Sequence, residues 1–149
     1  MRAAPALLLL AALAACAHSG PGGGPAIAEC PGELAAPSSI GGEFLLRLRM
    51  RVEAPGVDRS LELAVQKRGD ELVLVAFDPL GAVAFSVVQS DDAIRVEERL
   101  PAALLPLPPR NALRDLHRAR FLGAVRDRVE REGCGYSARF VELSREALP

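Results

Sequence analysis

The sequence predicts an α+β fold that is mainly β: a curved antiparallel sheet, or incomplete β-barrel, with a short helix covering its concave face. Three observations carry this expectation. From residue 43 the apolar residues recur with period two through several short segments. Turn signals separate those segments at regular spacing. One proline-rich stretch then interrupts the meander, and a helical pattern follows it.

The first strand is "EFLLRLRMRVE". Phe44, Leu46, Leu48, Met50 and Val52 alternate with Leu45, Arg47, Arg49, Arg51 and Glu53, giving one apolar and one basic face. "APGVD" turns the chain. "RSLELAVQKR" alternates Leu61, Leu63 and Val65 against Glu62, Ala64 and Gln66. After "GDE", "LVLVAFD" and "AVAFSVVQ" are apolar on both faces and flank the turn "PLG". "SDD" and "AIRVEE" complete five strands. "LPAALLPLPPRNALRDLHRARFLG" holds four prolines before a helix. Asn111 is its expected N-cap, and Ala112, Leu113, Leu116 and Ala119 form its apolar stripe. Arg114, Arg118 and Arg120 are expected to point away from the core. "AVRDRVEREG" and "YSARFVELS" close the chain as a hairpin, with Val125 and Val129 as the sparse apolar positions of its first half.

The chain of 149 residues opens with Arg2 and an apolar run ending in "LLLLAALAAC". A basic residue, a short apolar region and small residues before Cys16 read as a secretory signal over 1–15, too short to remain as a spanning helix. The stretch resembles a bacterial lipobox. That resemblance implies lipidation of Cys16, cleavage before it, and anchoring by several acyl chains; an ordinary signal with an incidental cysteine is the alternative. Residues 16–28 then form a Gly/Pro tether containing His18, and 29–149 form one domain. Ala17 and His18 follow Cys16, with no Asp of the kind that retains such lipoproteins in the inner membrane, so the resemblance implies the periplasmic face of the outer membrane.

Hydrophobic residues make up 50% of the chain, enough for a core despite 4% aromatics and no Trp. The balance of 18 basic against 19 acidic side chains gives no sign of a nucleic-acid partner, and none is expected. With Cys16 acylated, Cys30 and Cys134 are an even pair in an oxidising compartment and suggest a disulfide; two buried free thiols are the alternative. No phosphate loop, metal-protease motif, CxxC or nucleophile elbow is present, so no enzyme activity, metal or cofactor is expected. His117 is expected to be solvated or capping. Asp91–Asp92 read as a turn, and Glu97–Glu98 as strand neighbours on opposite faces. Arg47, Arg49 and Arg51 share one face, solvated or meeting anionic headgroups or a partner.

Two motifs, "FDPLGAVAFSV" and "LPLPPRNALRDLHRARFLG", resemble the LolB-like lipoproteins over about Phe44–Leu122, closest to an uncharacterised branch known only as a domain of unknown function. The resemblance implies a half-barrel whose cavity takes an acyl chain or other hydrophobic cargo. Phe44, Leu46, Leu48, Leu63, Val65, Val75, Phe77, Phe85 and Val87 are the expected lining. It also implies a transfer loop at Leu80, the alternative being that Leu80 caps the core at a tight turn. The leading functional expectation is a monomeric, membrane-anchored carrier of lipid or lipoprotein. The alternative is a non-catalytic lipid-anchored adaptor of an envelope or biosynthetic complex.

Overall fold

The computed structural model describes residues 27–149; Cys16, His18 and the stretch before Ile27 lie outside the described residues. Seven strands form one antiparallel sheet: β1 (Phe44–Ala54), β2 (Val57–Arg68), β3 (Glu71–Phe77), β4 (Val83–Gln89), β5 (Ile94–Glu98), β6 (Arg128–Arg131) and β7 (Tyr136–Ala147). Their order is β5-β4-β3-β2-β1-β7-β6, so the sheet is not closed. One helix, α1 (Pro109–Arg120), lies between β5 and β6 in the chain. The described residues are therefore mainly β, with one short α-helix.

The period-two pattern fixes the faces. Phe44, Leu46, Leu48, Met50 and Val52 of β1 are all buried, and so are Leu61, Leu63 and Val65 of β2. Their alternates Arg47, Arg49 and Arg51 face water. On the apolar strands β3 and β4, register decides what composition left open. Pairing of Leu63 with Ala76 and of Ala76 with Phe85 puts Leu72, Leu74, Ala76, Phe85 and Val87 inside. Val75 and Phe77, expected in the lining, stand on the opposite, outer face and are only half-buried. A one-residue phase error on a strand moves every side chain to the other face.

The hairpin turns use local chemistry. Pro55–Gly56 takes the positive φ of 75° at Gly56 that a proline-led tight turn needs. At the β3–β4 turn Asp78 accepts hydrogen bonds from Leu80 N–H and Ala82 N–H, both at 2.9 Å, and Gly81 supplies φ 84°. Leu80 is 93% exposed, so it does not cap the core.

Helix α1 packs against β4 and β5 at one edge of the sheet and β6 at the other, which bends the inner face around it. It starts at Pro109, the first helical position, where the missing N–H costs nothing. Asn111 is therefore inside the helix and is not its N-cap. Strand β6 is shorter than its sequence pattern suggested: Val129 is buried there, while Val125 is 68% exposed in the preceding loop. A disulfide joins Cys30 to Cys134, with the Cα atoms 6.0 Å apart, and ties the segment before β1 to the β6–β7 turn.

Candidate functional site

Three places in the fold concentrate chemistry: the inner face of the sheet, the polar side of α1, and the outer face.

The inner face is filled. Phe44, Leu46, Leu48, Leu63, Val65, Phe85 and Val87 belong to a single core with Leu113, Leu116 and Ala119 of α1. Six of these seven, all but Phe44, have no exposed surface at all. Zero exposure means that no water-sized sphere touches them, so the helix occupies the place where a ligand would sit.

The polar side of α1 was missed by sequence reasoning. Asn111, Arg114 and His117 recur every three residues and all bind the extended strap, residues 27–36, that precedes β1. Asn111 accepts from Cys30 N–H at 2.8 Å and donates to the carbonyl of Ala28 at 2.9 Å. Arg114 donates to the carbonyl of Cys30 at 2.8 Å and pairs with Glu29 at 3.0 Å. His117 Nδ1 accepts from Ala35 N–H at 3.0 Å, which leaves the proton on Nε2 to be donated to Gln89 Oε1 at 2.7 Å. Gln89 returns a bond to the carbonyl of Ala35 at 2.9 Å. His117 is fully buried, neither solvated nor capping, and burial lowers its pKa to about 4. Arg131 of β6 donates to the carbonyl of Pro31 at 2.6 Å and pairs at 3.0 Å with Asp115, which also accepts from Tyr136 Oη–H at 2.6 Å. Burial pushes Asp115 up to about 6, opposed by the Tyr136 bond and the Arg131 charge. Arg120, expected to point outward, is drawn in over the Phe140 ring and beside Asp127. The three-residue spacing of Asn111, Arg114 and His117, beside the apolar stripe of Ala112, Leu113, Leu116 and Ala119, was the available signal for this clamp.

The outer face is open. Arg47 pairs with Glu62, and Arg51 holds Asp58 through two bonds of 2.7 and 2.6 Å. A cleft of about 560 Å³ runs between Arg47, Arg49 and Ser60 on one side and Phe77 with the Asp78–Gly81 turn on the other. Leu80 projects from that turn, and Val141 of β7 is 51% exposed beside Arg49, its register partner. Of the residues singled out from the sequence, Arg47, Arg49 and Phe77 line this cleft, and Leu80 stands on the turn at its rim. They do so on the face opposite the expected cavity.

No match was found among curated proteins or among solved structures. The family described as "Protein of unknown function (DUF3261)" matches residues 46–121, just over half of the chain, and nothing in that match ties it to the LolB-like proteins. The matched stretch runs from the first inward leucine of β1 through the last turn of α1 and includes Gln89, Asn111, Arg114 and His117. By that match over more than half of its length, the chain belongs to the DUF3261 family.

Proposed function

We propose that this protein is a lipid-anchored, non-catalytic interaction module of the bacterial envelope, held at the periplasmic face of the outer membrane through Cys16 and engaging its partner with the outer face of the sheet. The observation that carries this reading is the filled inner face. Leu46, Leu48, Leu63, Val65, Phe85 and Val87 have zero exposure under α1. Cargo held there by apolar burial would have to displace the helix, together with the disulfide and the strap clamped across it. The groups with shifted pKa, His117 and Asp115, have their hydrogen bonds committed to Ala35, Gln89, Tyr136 and Arg131 and face no cleft, which argues against acid–base work. The lipobox-like run before Cys16 supports the anchor.

The test is in-cell photocrosslinking from single positions of the full chain, combined with native mass spectrometry of the purified protein. Crosslinks from Phe77 and Val141, and none from the exposed Leu104 away from this face, are the expected outcome. A lipid or acyl adduct retained at one per chain and lost in a folded Leu48→Asp variant, whose charge lies on the inner face, would overturn the reading in favour of a carrier.

A further inference from the structure

On the outer face three arginines stand in one cross-strand row: Arg51 faces Arg139 between β1 and β7, and Arg139 faces Arg128 between β7 and β6. Like charges directly opposite each other destabilise a sheet. Two members of the row are neutralised. Arg51 has Asp58 at 2.6 Å and Glu53 at 3.5 Å; Arg128 has Glu53 at 3.3 Å and Glu130. Arg139 makes no ion pair among the described residues. Neither does Arg49, one row along, where the register partners are Glu62, already bonded to Arg47, and Val141. Arg49 and Arg139 are thus diagonal neighbours across β1 and β7, about 7–8 Å apart at the backbone. Both line one open cleft with Ser60, Val141 and the Arg51–Asp58 ion pair, in which Arg51 offsets the Asp58 carboxylate. Two unpaired guanidinium forks at that spacing can close on the oxygens of a single phosphate group.

We infer that Arg49 and Arg139 form a binding site for the phosphate of an anionic lipid headgroup. Position favours a lipid over a free ion. Arg139 lies five residues beyond Cys134 of the β6–β7 turn, and so at most about 18 Å from it. Cys134 is bonded to Cys30, from which the chain leads back to Cys16. The ten residues between Cys16 and Ile27 span at most about 35 Å, so the cleft is within reach of the membrane that would hold the anchor. The exposed Val141 gives the cleft an apolar wall for the glycerol end of such a headgroup. This inference rests on the anchored reading above.

The test is a titration of the full chain, in micelles of an uncharged detergent, with phosphatidylglycerol, with phosphatidylcholine and with inorganic phosphate, following the arginine Nε–H resonances by NMR. Phosphatidylglycerol should shift Arg49 and Arg139 saturably, phosphatidylcholine should not, and the double variant R49Q/R139Q should bind about tenfold more weakly or worse. The control R95Q, on β5, should bind as the parent does. An unchanged melting transition in R49Q/R139Q shows that the loss is not unfolding. Absence of a saturable shift, or unchanged affinity in the double variant, would overturn the site, and equal response to both lipids, which share the phosphate, would overturn its assignment to an anionic headgroup. A response to inorganic phosphate matching that to phosphatidylglycerol would overturn its assignment to lipid. The mass of Cys16 on the same sample separates the two readings: an unmodified thiol with a saturable shift overturns the anchor and leaves the site standing.

Discussion

His117 and Asp115 sit two residues apart on α1, and burial moves their pKa values in opposite directions, to about 4 and about 6. His117 is neutral when folded, while its unfolded form takes up a proton below 6.5. Its contribution is therefore complete above pH 6.5 and lost as pH falls toward 4. Asp115 holds its proton more tightly when folded than when unfolded, so its contribution is present below 3.8 and lost as pH rises toward 6. Each is worth on the order of 3 kcal/mol at full extent, and their windows overlap. The parent protein should accordingly show a shallow stability profile between pH 4 and 6.5. Asp115→Asn removes the opposing slope, so its denaturant midpoint should climb steadily with pH across that window; a flat profile would contradict the histidine assignment. Asn111→Ala leaves Cys30 N–H and the Ala28 carbonyl without partners, and should cost roughly 2–3 kcal/mol by denaturant unfolding.

The element that organises this chemistry is the strap over residues 27–36, an extended segment bound to α1 through its backbone. Asn111, Arg114 and His117 can serve it because positions three apart share a helix face, and Gln89 reaches it from the last residue of β4. The disulfide closes a separation of 104 residues, for which chain entropy gives about 4–5 kcal/mol. Reduction, or replacement of Cys30 and Cys134 by Ser, should lower stability by up to that amount. It should also raise amide exchange at Cys30 and Ala35 ahead of the strands. Equal acceleration throughout the sheet would mean that the strap does not open separately. The regularity of β1 and β2 was legible because their inner and outer residues differ in polarity. β3 and β4 were not, because Val73, Val75 and Phe77 are as apolar as Leu72, Leu74 and Ala76, and only pairing with the amphipathic β2 fixes their phase.

For the whole molecule, a sheet with a filled inner face behaves as a packed core. Leu48→Ala should cost about 2–5 kcal/mol through the cavity it leaves, while Leu48→Met should cost under about 1.5 kcal/mol. Leu80→Ser, at a fully projecting turn, should change stability by less than about 0.5 kcal/mol. The full chain should take up no fluorescent fatty acid. Saturable uptake that Leu48→Asp abolished while the protein stayed folded would return the inner face to a carrier role.

By itself the sequence determined the strand count, the single helix, the turns and the arginine face, because period-two alternation, Pro–Gly pairs and an i, i+3, i+4 stripe are local consequences of backbone geometry. It also marked Cys30 and Cys134 as a pair. Only the tertiary structure decided which face of β3 and β4 is the core, that α1 fills the sheet, and that Asn111 and His117 grip the strap. The same fold brings Arg49 and Arg139 side by side on the outer face. Each of these depends on what stands opposite a residue across tens of positions of chain. A side chain's type cannot specify its partner until register and helix placement bring the two together.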